Sequence, residues 1–240
     1  MFVGTDYVLP RTAFMLMAEY ERQQGLSLAE TNAVYTPFGH VDYAHVVADI
    51  AHLERGGKTA VIASLWGESS AAFHEELARR KLRTKVLHLS LEQFQIKTDA
   101  VRPYVGTLAA RSYLTRPGLE TSARFERQWR DHLSRNGAGL ASDTPLEDLL
   151  EATHVGIRLW KLAVERAGST EVAAVRKALP QVKLMGPMGV ELAFDQNHFL
   201  ARPLFLGTLR ADGGYDVLWQ SAGPLVPEPY SRYHRDNYQR

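Results

Sequence analysis

The sequence contains no cysteine, which excludes disulfides and thiolate metal sites and leaves the redox compartment open. It has no surplus of either charge. With 28 Lys and Arg against 27 Asp and Glu the formal net charge is +1, so there is no electrostatic case for a nucleic acid or an anionic membrane as direct partner. No apolar run approaches the roughly 18 residues of a membrane-spanning helix. Signatures of catalysis are also missing. No G-x-S-x-G is present, and WGESS lacks the spacing of a nucleophile elbow. Gly57-Lys58-Thr59 has the end of a phosphate-binding loop, but His52 stands where its first glycine belongs. There is no G-x-G-x-x-G. The nine histidines are scattered, and His45 and His52, seven apart on one expected helix, have no accompanying carboxylate set for a metal. The reading is of a protein that is not an enzyme and carries no cofactor.

What is present is an alternation. FVGTDY reads as a strand, followed by a helix that Pro10 can open, with Ala13, Leu16, Met17 and Tyr20 on one face. TNAVYTP is a second strand. A helix over VDYAHVVADIAHLER places Tyr43, Val46, Val47, Ile50 and Leu53 together and stops at Gly56-Gly57. TAVIASLW is continuously apolar, as expected of a strand buried on both faces of a parallel sheet. A helix over SSAAFHEELARRK, a strand over TKVLHLS and a further strand near VGTLAARS complete the series. Repeated βα units predict a parallel sheet with helices on both sides. The chain opens on a strand at Phe2, as though FVGTDYVLPRT continued something earlier.

The middle of the sequence differs. Three consecutive helices are expected: LETSARFERQWRDHLSRNG, TPLEDLLEATHVGIRLWKLAVERAG and STEVAAVRKAL. For the second, Thr144 can cap, Pro145 takes the first helical position, Glu147 completes a capping box and Gly168 closes it. This helix is apolar most of the way round. Leu146, Leu149, Leu150, Ile157, Trp160 and Val164 lie on one side, with Val155, Leu159 and Leu162 near the other, so it calls for cover on several sides. The tail returns to β structure: GVELAF, with Val190, Leu192 and Phe194 on one face, and a hairpin of RPLFLGTLR, ADGG and YDVLWQS. The expected organisation is an α/β layer over 1–113, a helical block over 114–183, β segments over 184–230 that rejoin the first sheet, and a polar tail over 231–240.

In open parallel sheets, ligands bind beyond the carboxyl ends of the strands. The loops there are Gly4-Thr5-Asp6-Tyr7, Thr36-Pro37, Ser64-Leu65-Trp66-Gly67-Glu68-Ser69 and Ser90-Leu91-Glu92. Their hydroxyls, aromatics and carboxylates suit a small, polar, uncharged ligand.

Those loops also carry a resemblance. Gly4-Thr5-Asp6-Tyr7-Val8-Leu9-Pro10-Arg11-Thr12 resembles the "GTDYVFPRT" stretch of the urea and short-chain-amide binding proteins, within the type I periplasmic binding protein superfamily. Tyr35-Thr36-Pro37, Gly39-His40 and Asp42-Tyr43 are similar to that family's "YTPLGHTDY". Gly67-Glu68-Ser69 with Phe73 and Glu76-Leu77 resembles its "GDSN…FFKEL". Glu151-Ala152, Gly156 and Leu159-Trp160 follow "EAAYxGxxLW", and Ala167-Gly168-Ser169-Thr170 with Val175-Arg176-Lys177-Ala178-Leu179 follows "AGSTDxxxVRKAL". Gly186-Pro187, Asp195 and Asn197-His198, then Trp219, Gly223-Pro224, Pro227 and Pro229-Tyr230, match its closing motifs in the same order.

The resemblance implies an α/β, type I periplasmic-binding-protein fold with one nearly complete parallel-sheet lobe. The helical block would belong to a second lobe whose sheet is missing, so that the chain is the C-terminal part of a longer protein. It implies a solute receptor of an ABC importer for urea or short-chain amides, closing two lobes on its ligand and docking on a permease in the periplasm. The alternatives are a cytoplasmic amide sensor of the aliphatic-amidase regulator type, with a regulatory protein as partner, or a non-functional fragment. Asp6, Tyr7, Ser64, Trp66 and Ser90 are the candidate ligand-binding residues. His154 replaces the family's Tyr, and Trp66 replaces its Asn at a binding-loop position, the latter shifting the expected ligand from urea alone to a small amide or urea-like molecule.

Overall fold

A computed structural model describes residues 1–26, 33–57, 59–89, 91, 101–116, 118–136, 144–229 and 231–234. The elements run β1 (Phe2–Thr5), α1 (Val8–Gln23), β2 (Ala33–Thr36), α2 (Ala44–Gly56), β3 (Ala60–Ser64), α3 (Glu68–Arg79), β4 (Lys85–His88), β5 (Leu108–Arg111), α4 (Glu120–Asn136), α5 (Asp148–Ala167), α6 (Val172–Ala178), β6 (Lys183–Met185), β7 (Glu191–Ala193), β8 (Phe205–Leu209) and β9 (Tyr215–Gln220). Seven strands are ordered β2-β1-β3-β4-β5-β8-β9, and β6 pairs with β7 in a separate antiparallel hairpin. The chain divides into two compact units. The first is Met1–Ala110, Thr208–Asp216 and Glu228–Arg240, and the second is Arg111–Gly207 and Val217–Pro227.

In the first unit β1 through β5 pair in parallel, with Gly4 opposite both Tyr35 and Ser64. Strands buried on both faces need apolar residues at successive positions, and FVGT, buried throughout, supplies them. One face of the sheet is covered by α2 and α3, whose Val46, Val47, Ile50, Phe73 and Leu77 pack with Val3, Val61, Ala63 and Val86. From α1, Phe14 packs on Phe2, with ring centroids 5.4 Å apart. That helix lies close because residue 4 is glycine: a Cβ there would stand 2.7 Å from Pro10 Cβ and 2.8 Å from the Phe2 ring. Pro10 sits in the first turn of α1, where its missing N–H costs nothing, although the helix begins at Val8 rather than at the proline.

In the second unit Val155, Leu159 and Ala163 of α5 pack with Val175 and Ala178 of α6 and with Leu192 of β7. β8 and β9 stand in the seven-stranded sheet. The β6–β7 hairpin does not rejoin the first sheet, because Leu184, Leu192 and Phe194 find their apolar partners on α5 and α6. The expected capping box is not formed either. α5 starts at Asp148, with Glu147 at its N-cap and no side-chain cap. The acidic groups of its first turn are held elsewhere: Asp148 accepts from Ser112 N–H at 3.0 Å and from Arg202 at 2.8 Å, and Glu151 pairs with Arg202. Gly168 ends the helix in the left-handed conformation, as expected.

Candidate functional site

The order β2-β1-β3-β4 contains a topological switch. From β1 the chain moves outward to β2, then crosses back over β1 to β3, so the segments leaving β1 and β3 diverge to opposite faces. The crevice between the carboxyl ends of β1 and β3 is where such sheets bind ligands. Thr5 ends β1, Ser64 ends β3, and both are fully buried. Among the described residues neither Thr5 Oγ1 nor Ser64 Oγ has a hydrogen-bond partner, and the buried Trp66 Nε1 has none of good geometry. Leaving a buried polar group unpaired costs about 1–3 kcal/mol.

The surrounding residues fix these groups. Asp6 N–H donates to Thr36 O at 2.7 Å, tying the end of β1 to that of β2. Thr36 Oγ1 and the Tyr43 hydroxyl lie 2.9 Å apart. The Asp6 carboxylate accepts from Arg11 Nε at 2.6 Å, and this bond holds its pKa below the usual carboxylate range. The Arg11 guanidinium in turn lies 4.5 Å from the Tyr35 ring centroid. Asp6 therefore does not cap α1; it stays ionised, about half exposed, with acceptor capacity remaining. Tyr7 packs on Phe38 with centroids 5.2 Å apart. Burial raises the Tyr7 pKa, against a smaller opposing effect of the Trp66 indole N–H beside its hydroxyl. Gly67, at φ +56°, allows the turn from Trp66 into α3. Ser69 in the first turn of α3 is buried, its Oγ beside the Tyr43 hydroxyl but without a hydrogen bond of good geometry among the described residues.

Of the residues expected from sequence, the structure brings Asp6, Tyr7, Ser64 and Trp66 to one edge of one sheet, and Ser90 lies outside the described residues. Thr5 and Ser69, from the same loops, and Arg11 and Phe38, outside the expected set, also stand at this edge. The available signal for Thr5 was a hydroxyl ending a buried parallel strand next to another, Ser64. Among the described residues no group of three or more His, Asp or Glu is placed to hold a metal, and no helix is long and apolar enough to cross a membrane.

Residues 1–236 match the model of the periplasmic binding protein domain family, and the chain belongs to that family. Its fold is the type I periplasmic-binding fold. The chain is similar in structure to an ABC-transporter solute-binding protein from R. palustris in complex with benzoate, at 16% identity and a TM-score of 0.73, covering 95% of this chain and 59% of that one. It is also similar to the leucine-, isoleucine-, valine-, threonine- and alanine-binding protein from Brucella ovis, at 12% identity and a TM-score of 0.74, covering 94% and 58%. The chain thus spans somewhat under two thirds of the length of these solved relatives. Over 87 residues it is 26% identical to limonene hydroxylase of Geobacillus stearothermophilus, a stretch covering 36% of this chain and 16% of that protein.

Proposed function

We propose that this chain carries part of the ligand site of an ABC importer's solute-binding protein, that its solute is urea or a short-chain amide, and that it works in the periplasm with a membrane permease as partner. The observation that carries the proposal is the pair of buried hydroxyls at the switch point without partners among the described residues, those of Thr5 and Ser64, with the buried Trp66 N–H near them making no hydrogen bond of good geometry. An amide presents a carbonyl acceptor and N–H donors on adjacent atoms. Indole N–H can only donate, hydroxyls do both, and the Asp6 carboxylate accepts. Tyr7 and Phe38 supply an apolar wall for a short alkyl group or a planar amide. The collinear motifs shared with urea and amide binding proteins support the same class. The activity is binding rather than turnover, in keeping with a family of binding proteins.

The test is calorimetric titration of the protein with acetamide, urea, leucine and benzoate. Saturable heat is expected from acetamide or urea. Ser64→Ala, which removes one of the groups awaiting a partner, is expected to weaken it by about tenfold. Binding of leucine or benzoate with no response to amides overturns the ligand class, and no binding of any of the four overturns the site.

A further inference from the structure

At the amino ends of β4 and β5, in the first unit, lies a cavity of about 290 Å³. Its wall includes His74 of α3, Arg83 and Lys85 at the start of β4, and Arg102 and Thr107 ahead of β5. It is independent of the amide site and has two chemical properties. The first is charge. No ion pair engages Arg83, Lys85 or Arg102 among the described residues. Glu54 lies near Arg83, but its carboxylate is held by the N–H groups of Arg83 and Thr84 and by the Thr84 hydroxyl. No carboxylate lines the cavity.

The second property is a buried acceptor. His74 is 1% exposed, enclosed by the rings of Phe73, His88 and Tyr104, the last with its centroid 4.3 Å away. The ring interacts with the Pro103 backbone, while Nε2 has no partner. Burial drives its pKa down to about 3, so the ring is neutral at physiological pH. A neutral imidazole that donates from one nitrogen presents a lone pair at the other. A residue of the cavity's lining therefore holds a buried acceptor that lacks a donor among the described residues, and the lining carries three cations and no carboxylate.

We propose that this cavity is an oxyanion site selective for an oxyanion that still carries a proton, inorganic phosphate being the simplest. The phosphate O–H donates to His74 Nε2, and its charged oxygens face Arg83, Lys85 and Arg102 in charge-assisted hydrogen bonds. Sulfate has similar size and charge but carries no proton at neutral pH, so it leaves Nε2 unpaired.

The experiment is isothermal titration of the 240-residue protein with phosphate and, separately, sulfate, at pH 7 in a buffer containing neither. Phosphate is expected to bind at least about tenfold more tightly than sulfate, the worth of one buried hydrogen bond. Arg102→Ser, a change at an exposed side chain, is expected to weaken both anions. His74→Phe, checked for folding by circular dichroism, is expected to abolish the preference while keeping sulfate binding. Equal affinity for the two anions in the unaltered protein overturns the proposal even if the His74 variant does not fold. So does phosphate binding that is indifferent to Arg102→Ser, or no phosphate binding at millimolar concentration.

Discussion

In the first unit, α2 and α3 bury their apolar stripes against a sheet that is itself apolar on successive residues, and Val47, Ile50, Ala63 and Phe73 are fully enclosed. In the second unit, α5 encloses Val155, Leu159 and Ala163 against α6 and β7, yet Leu149, Ile157 and Trp160 of the same helix stand 53%, 61% and 51% exposed. Both units are built from helices of similar amphipathic character. They differ in what covers those helices: a parallel sheet presents a broad apolar face, whereas a short helix and a two-stranded hairpin cover only one stripe. Exposed apolar residues grouped on one helix in this way favour association.

The sharpest way to break this comparison is at its enclosed end. Phe73→Ala removes a fully buried ring that packs on Tyr43 at 5.4 Å, and a loss of about 3–5 kcal/mol is expected in guanidinium unfolding. A loss below about 1 kcal/mol would mean that the first unit's core is not close-packed.

The next test concerns the approach of α1 to β1. Gly4→Ala places a methyl where Pro10 Cβ and the Phe2 ring already stand, and overpacking of this kind costs about 1–3 kcal/mol. A lowered melting temperature is expected. An unchanged one would show that α1 can move away freely.

A third test uses pH, to which the units should respond with opposite sign. His74 in the first unit is a base whose pKa falls from 6.5 to about 3 on folding. The unfolded chain therefore binds more protons between those values, and stability is lost as the pH falls from about 6.5 toward 3. Glu151 in the second unit is an acid raised from 4.5 to about 7, burial outweighing the attraction of Arg202. Here the folded state binds more protons, so stability is lost as the pH rises from about 4.5 through 7. Amide hydrogen exchange, corrected for intrinsic rates, should show the first unit less protected at pH 5 than at pH 7 and the second more. A shift of the same sign in both would remove the distinction.

The smallest expected effect on stability comes from Trp160→Gln. It should change the unfolding free energy by no more than about 0.5 kcal/mol, while reducing self-association measured by sedimentation at high concentration. If the unaltered protein is monodisperse at every concentration, these exposed residues do not drive association.

Much of the first unit could be read in advance because its signals are local. TAVIASLW is too continuously apolar for anything but a doubly buried strand, and Gly56-Gly57 ends α2 at the expected place. Placing Asp6, Tyr7, Ser64 and Trp66 on one edge followed from parallel pairing alone, since in a βα series every strand's carboxyl end points the same way. The failures came where a distant partner decided the outcome. Thr144-Pro145-x-Glu147 has the spacing of a helix start, but Trp129 Nε1–H donates to Thr144 O and Arg202 draws Asp148 and Glu151 together. GVELAF alternates equally well for any sheet, and only the apolar faces of α5 and α6 decide that it pairs with β6 instead. The isolation of Thr5 and Ser64 from other polar groups is likewise a property of packing that no spacing reveals.

The setting of Trp66 gives the protein a built-in optical probe. Of the four tryptophans, Trp160 and Trp219 are about half exposed and open to a dissolved quencher, whereas the Trp66 indole nitrogen is buried beside the Tyr7 hydroxyl. With iodide suppressing the outer emitters, the remaining fluorescence comes largely from Trp66 and the partly buried Trp129. Occupation of the edge between β1 and β3 then becomes visible as a change in colour and intensity, without a label.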